Sequence, residues 1–373
     1  MRWKYFLDTR VLSMFGILAA IPIAVGFFLI QSSARARLVD SIGYDFYRLA
    51  SYAASSVDDA VLREVLHLST LSRSPDLIRA AAGAPSSAGL DMEKIQKLER
   101  DWSEYPTDHA RVKTLLSSEA SRHLAAVVSD APIYHELMLV GASGIVTAAS
   151  QKPVRFFFGD RPWFQEAITG ESGEGALAIS DVRRFKEQDT DALTLAWPVK
   201  NQSSEVVGVL RAVVDARVLF QPINGLRFGQ RGHAMLVQGE GEVLAGAVED
   251  CIVNRRYHAQ EDVRRAIREK RPFFIAGLTA RGDTENAELV GYARPQVASS
   301  HKTLDWTIVV EQPLTEAYGA ISPVLRDILL YFVLMGLLVI GLALYYSFTL
   351  ERPVTDIEMD LHHDLPKTVE SGS

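Results

Sequence analysis

The sequence predicts an α+β fold in which a small antiparallel sheet with helices on one side is built twice. The pair is mounted on a long N-terminal helix and bracketed by two membrane-crossing helices. Three observations predict it: two charge-free apolar runs towards the ends of the 373-residue chain, a helical apolar period after the first run, and two hairpins that match in order.

The first run, Val11 to Ile30, reads VLSMFGILAAIPIAVGFFLI, and the second, Ile328 to Phe348, reads ILLYFVLMGLLVIGLALYYSF. At about 1.5 Å per residue, roughly 20 residues cross the ~30 Å hydrocarbon layer. Backbone groups in lipid must pair within their own segment, so both runs are expected to be helices. Tyr345 and Tyr346 stand where interfacial rings are favoured, and Pro22 is tolerable in a membrane helix. A cleavable signal peptide is the competing reading of the first run: the start MRWKYFLDTR is basic and Ser33–Ala36 resembles a cleavage site. Against it, the apolar stretch exceeds a usual signal core. Arg2, Lys4 and Arg10 precede the first run and Arg35 and Arg37 follow it, whereas only Arg352 and Lys367 follow the second. The positive-inside bias therefore favours cytoplasmic residues 1–10 and 349–373, spans at 11–30 and 328–348, and an extracytoplasmic region at 32–327.

A mean hydropathy of +0.06 hides this partition between apolar runs and an ordinary polar-surfaced remainder. Charged residues are 23% and the net charge is −7, so no general basic surface invites nucleic acid. A lone cysteine, Cys251, excludes an intrachain disulfide and a multi-cysteine zinc site.

From Leu38 to Leu71 apolar residues recur at helical spacing (Leu38, Ile42, Phe46, Leu49, Ala53, Val57, Val61, Leu68, Leu71), which predicts a long amphipathic helix over 38–80. It is read as a signalling or dimerisation stalk, compatible with packing on its own domain. APSSAG at 84–89 reads as a loop, and helical patterns follow at about 91–102 and 109–129. The period then becomes strand-like. Glu136–Ser150 (ELMLVGASGIVTAAS) and Ala234–Ala247 (AMLVQGEGEVLAGA) are two hairpins turning at Gly144 and Gly241. Leu139–Val140 match Leu236–Val237, Val146 matches Val243, and Ala148 matches Ala245. After each hairpin comes a strand, a proline turn and a strand: LTLAWPVKNQSSEVVGVLRAVVD (193–215) and ELVGYARPQVASSHKTLDWTIVVEQ (288–312). Two ordered matches predict a duplicated module, one copy at about 108–218 and the other at about 226–318.

With the hairpin GASGIVTAAS, then GDRPWFQEAITG (159–170), AISDV (178–182) and VVGVLRAVVD (206–215), the chain resembles the double Cache family of extracytoplasmic sensors over about residues 32–327. The resemblance implies two tandem PAS-like modules between two spans of a bacterial inner membrane. It also implies a small molecule bound in the membrane-distal module, homodimers, and a shift of the helices entering the membrane. Relatives that bind amino acids carry an aromatic residue, then Arg-x-Trp-aromatic, then aromatic-x-Asp, then a later Asp. Here Arg161, Trp163 and Phe164 fill the middle part, Asp181 follows, and Asp215 ends the later strand. Phe156, or its neighbour Phe158, stands where tyrosine is usual, and Ile179 stands where the second aromatic is expected, so hydroxyl partners are missing.

On their own chemistry, the fork of Arg161 suits a carboxylate, the indole N–H of Trp163 is a donor, and Asp181 and Asp215 could hold an ammonium. A structural alternative stands beside this. Arg161 would pair with Asp181 or Asp160, Trp163 and Phe164 would be core, and Asp215 would cap a helix beginning near Ala216.

Other features carry less. His362–His363 resembles a phosphorylated histidine box and Arg352–Pro353–Val354 the opening of a HAMP linker, but only ten residues follow the first and about 20 the second, too few for either module. His258 and His301 lack metal-ligand spacing, and Gly239–Gly241 is a turn with no phosphate-loop helix after it. No nucleophile–base pair is discernible, so neither an enzyme nor a cofactor is expected. Arg264, Arg265, Arg268, Lys270 and Arg271 read as a basic helix face, with anionic headgroups or a partner as the alternative. The sum is a membrane sensor for an amino acid or carboxylate that signals through a cytoplasmic partner. The alternatives are a non-sensing assembly protein, or the remnant of a truncated sensor kinase or chemoreceptor.

Overall fold

The computed structural model describes residues 9–84, 92–170, 175–185, 190–246, 252–253, 256–277, 287–301, 303–319 and 322–350. Cys251, most of the 84–89 loop and the C-terminal tail with its histidine pair lie outside them. Two units are distinguished: residues 42–316, and a second made of 1–41 and 317–373.

Helix α1 (Thr9–Leu71) carries the stalk pattern, and α2 (Pro75–Ala82) follows it. The single helix expected over 38–80 is thus broken. Pro75 has no N–H to donate to the preceding turn and disfavours helical geometry at Ser74, so it opens a new helix instead. Next come α3 (Met92–Glu104), α4 (Ala110–Leu116) and α5 (Glu119–Asp130). The helix expected at 109–129 divides where the Ser118 hydroxyl accepts the Ser121 N–H, capping α5.

The first sheet uses β1 (Tyr134–Gly141), β2 (Val146–Ala149), β3 (Ala178–Phe185), β4 (Thr190–Lys200) and β5 (Val206–Asp215), with α6 (Pro162–Thr169) between β2 and β3. Short helices α7 (Ala216–Leu219) and α8 (Gln221–Asn224) connect it to the second module. There follow β6 (Arg227–Phe228), β7 (Gly232–Gln238), β8 (Glu242–Ala245), β9 (Ile252–Val253), β10 (Arg256–Tyr257), α9 (Gln260–Glu269), β11 (Phe273–Ala276), β12 (Glu288–Ala293), α10 (Gln296–Ser300) and β13 (Trp306–Pro313). Helices α11 (Leu314–Gly319) and α12 (Ser322–Leu350) close the sequence of elements.

The duplication is explicit in the strand order. The first sheet runs β2-β1-β5-β4-β3 and the second contains β8-β7-β13-β12-β11, every neighbour antiparallel. The registers also repeat. Leu139 faces Ala148 and Val140 faces Val146, while Leu236 faces Ala245 and Val237 faces Val243, with an irregularity between the two pairs in both hairpins. The resulting architecture is a mixed α/β fold with two sheets.

Pro198 is not in a turn. It lies inside β4 opposite Val209, beyond the last β3 pair at Ala178–Ala196, where its missing N–H costs no ladder bond on that side. The turn is made by Asn201, whose side chain accepts the N–H groups of Ser203 and Glu205. In the second module the stretch after Pro295 forms α10, whose first N–H groups, at Gln296 and Val297, donate to Asp58 of the stalk.

The stalk packs on both modules. Phe46 meets Phe228, Tyr44 meets Phe273, and a Cβ on Gly291 of β12 would lie 2.5 Å from the Phe46 backbone. Further along, Glu64 and His67 share the buried Tyr134 hydroxyl, and burial together with Glu64 pushes that phenol upward. In the other unit, Gly26 faces the ring of Phe332. The two apolar runs fall in α1 and α12. Many of their side chains lie outside the described set, and among the described residues no helix is long and apolar enough to cross a membrane.

Candidate functional site

Pleating sends alternate side chains of each strand to opposite faces. On the α6 side of the first sheet stand Met138 and Val140 of β1, Val209 of β5, Ala196 of β4 and Ala178 of β3. Phe158, Phe164 and Ala167 cover them, with Phe156, Trp163, Ile168 and Leu115 packed at the edge. Arg211 faces the same way, since it pairs laterally with Met138 and Ala196. Its guanidinium lies 5.8 Å from the Phe158 ring centre and 5.4 Å from that of Trp163. Glu136, buried two residues before Met138, approaches it at 3.3 Å. A planar cation between two aromatic faces, paired with a carboxylate, is thus set into an otherwise apolar face.

The roof is held from α3. The Glu99 carboxylate accepts the backbone N–H groups of Phe156 and Phe157 and approaches Arg155 at 3.6 Å. Trp102 packs against Phe156 in a tilted arrangement with centres 4.8 Å apart and donates its indole N–H to the Pro153 carbonyl at 2.8 Å. The loop that carries Phe156 and Phe158 is therefore tied to α3 at several points.

The residues expected from sequence are distributed unevenly around this box. Trp163 and Phe156 form its walls, and Phe164 is buried in its cover. Arg161, at the N-terminus of α6, is exposed and lies 3.9 Å from Asp160. Ile179 is buried on the pleat opposite Ala178, away from the box. Asp181 accepts the indole N–H of Trp306, from the second module, at 2.9 Å. Burial pushes its carboxyl above the usual range, and that hydrogen bond only partly offsets the rise. Asp215 caps α7 by accepting the Arg217 N–H at 2.8 Å, and it pairs with the Arg217 and His135 side chains. Burial raises its carboxyl, but the Arg217 hydrogen bonds outweigh this and hold it below the usual range. Asp215 also stands four residues along β5 from Arg211, about 13 Å.

Arg211 and Glu136 were not singled out from sequence. The available signal was a charged residue inside each apolar alternation, Glu136 in ELMLV and Arg211 in VVGVLRAVV. The repeat sharpens it. The register that aligns Leu139 with Leu236 aligns Glu136 with His233 and Met138 with Met235, so Val309, opposite Met235, stands where Arg211 stands in the first sheet. The second face is consequently a closed apolar cluster of Met235, Val237, Val263, Ala276, Val290 and Val309. Beside it His233 lies 3.2 Å from Glu311, which accepts the Tyr257 hydroxyl at 2.6 Å. Burial alone would lower the imidazole, but Glu311 and the Arg231 carbonyl raise it above its ordinary 6.5.

The remaining polar features are engaged locally. His258 pairs with Glu288, and in the basic cluster Arg264 pairs with Glu240, Arg265 with Asp262 and Arg271 with Glu269. Among the described residues no group of three or more His, Cys, Asp or Glu side chains could hold a metal ion.

Comparison with known proteins gives a match of the Cache domain family model to residues 38–321. Among solved structures, the sensory domain of the Campylobacter jejuni chemoreceptor Tlp3 (CcmL) is similar at 12% identity, covering 76% of this chain and 98% of that one, with a TM-score of 0.50. The ligand-binding domain of the Pseudomonas aeruginosa PAO1 amino acid chemoreceptor PctB, in complex with L-Arg, is 19% identical over 75% of this chain and 98% of that one, with a TM-score of 0.44. That of the Pseudomonas fluorescens chemoreceptor CtaA, in complex with L-serine, is 14% identical over 74% and 98%, also at 0.44. At these identities the likeness is one of fold.

Proposed function

This chain belongs to the Cache domain family of sensory ligand-binding domains, and from that premise we propose that it is a membrane-anchored sensor of a small zwitterionic solute. The ligand enters the Arg211 box of the first module. One observation carries this reading: Arg211 and Glu136 place a cation and a carboxylate side by side under Phe158 and Trp163. A ligand carboxylate bonds the Arg211 fork while its ammonium meets Glu136, so one internal ion pair is exchanged for two. Trp163 and Phe156 wall the ligand's body. An α-amino acid fits this charge pattern. The second module, with Val309 in place of Arg211, offers no counterpart.

The two apolar runs anchor the protein with its modules outside the cytoplasm. The sequence is what supports this: each run holds about 20 mostly apolar residues, the length that the hydrocarbon layer asks for, and falls within one helix, α1 or α12. The first module is taken as the membrane-distal one; the order of contacts along the stalk supports this, with the second module near Tyr44 and the first near Glu64, further from the apolar run in sequence. Homodimers and a cytoplasmic partner complete the proposal. Binding signals by favouring one of two arrangements of modules and helices.

The test is thermal unfolding of the full chain in lipid nanodiscs against a panel of L-amino acids, ω-amino acids and plain carboxylates. A shift with zwitterions that plain carboxylates do not give supports the assignment. No shift from any of them at millimolar concentration overturns it.

A further inference from the structure

The edge strand β3 has two jobs that its position joins. One face closes the candidate site, where Ala178 packs with Phe164 and Ala167 of α6. Its other contacts reach into the second module through three hydrogen bonds. Thr303 donates to the Ile179 carbonyl at 3.2 Å, Trp306 donates its indole N–H to Asp181 at 2.9 Å, and the Gln238 amide donates to the Val182 carbonyl at 3.2 Å. The donors are neighbours, because Gln238 on β7 pairs directly with Trp306 on β13. Local structure makes the grip available: β3 loses register with β4 between Ser180 and Arg183, releasing Asp181 and Val182 from regular pairing.

The far side of the grip is buried and closely packed. Trp306 is fully buried and meets Phe220 edge-on, with ring centres 5.3 Å apart. Phe220, also fully buried, joins α7 to α8 in the connector between modules. From Trp306 the chain runs as β13 to Pro313 and directly into α11, ahead of α12. A displacement of β3 therefore acts on the first residue of the strand that leads to the C-terminal helices.

We propose that Asp181 and Trp306 form a relay latch, through which β3 transmits the state of the first-module site to β13. The proposal rests on the reading of that face as the ligand site. It gives Asp181 a role in coupling rather than in touching the ligand. Closely packed elements transmit such shifts because they cannot deform without repacking.

The latch is tested without any ligand, so its failure and the failure of the ligand assignment are told apart. Hydrogen–deuterium exchange is measured on the full chain in nanodiscs for wild type, Asp181→Ala and Asp181→Asn, reading residues 311–316. These are the end of β13 and the first turn of α11, and β13 rises about 20 Å between Trp306 and its last residues. Asp181→Ala is expected to accelerate exchange there about tenfold, the equivalent of one hydrogen bond, while Asp181→Asn, which keeps an acceptor for the indole, restores protection. Trp306→Phe, which keeps the ring and loses the donor, serves if Asp181→Ala does not fold, and the same acceleration is expected. Exchange that rises only at 303–308, or that stays unchanged at 311–316 in every variant, overturns the relay.

Discussion

Arg211 and Val309 occupy the same place in two copies of one sheet, and the difference between a fork and a methyl pair separates a candidate site from a closed core. Replacing both members of the buried pair, Arg211→Leu with Glu136→Leu, removes the charges without stranding either one. Such exchanges are commonly neutral or stabilising by about 1–4 kcal/mol. The expected outcome is an unfolding midpoint at or above wild type with no ligand-induced shift, measured by calorimetry. His233 supports a second prediction. Its imidazole is raised above 6.5 in the folded protein, so its contribution to stability is complete below that value. That contribution is lost as pH rises through the folded value. The difference in urea midpoint between wild type and His233→Phe should therefore be largest near pH 5.5 and shrink by pH 8.5. Single residues of this kind were only partly legible. Trp163 and Phe156 could be named because they fill aromatic positions of the motif that the family resemblance implies, whereas Arg211 and Glu136 looked like ordinary charges until the registers superposed them.

Helices and strands were read well wherever one face had to be apolar, and less well where a local polar group intervened. The stalk period is plain from Leu38 to Leu71, but Pro75 ends its continuation and the Ser118 hydroxyl divides the 109–129 helix. Pro198 misled in the opposite direction, since a proline beyond the last neighbouring strand pair costs nothing. Two predictions belong to this scale. Removing the Glu99 carboxylate with Glu99→Ala leaves the Phe156 and Phe157 N–H groups without their acceptor. Hydrogen exchange at residues 155–158 should rise, with a cost of about 1–3 kcal/mol to the first module. On β12, Gly291→Ala places a methyl against the Phe46 backbone, so the stalk must shift. A loss of about 1–3 kcal/mol is expected by denaturant unfolding, because overpacking against a helix backbone cannot be relieved by a rotamer change.

Across the whole molecule, the two modules and the stalk are expected to respond together. A ligand at 100 times its dissociation constant adds about 2.7 kcal/mol, which for a domain of this size raises the midpoint by several degrees. Topology reporters fused near Trp163 and after Leu350 should report opposite sides of the membrane, and a cytosolic signal near Trp163 would end the anchored-sensor reading. The duplicated two-sheet fold and its stalk were legible along the chain, because hairpins and a helical period depend only on near neighbours. Which charges meet is a matter of the folded arrangement. Arg211 reaches Glu136 across β1 and β5, Asp181 reaches Trp306 across two modules, and Asp58 caps a helix more than two hundred residues away. Such encounters are set by strand register and by the bulge in β3, which no local pattern of residues encodes.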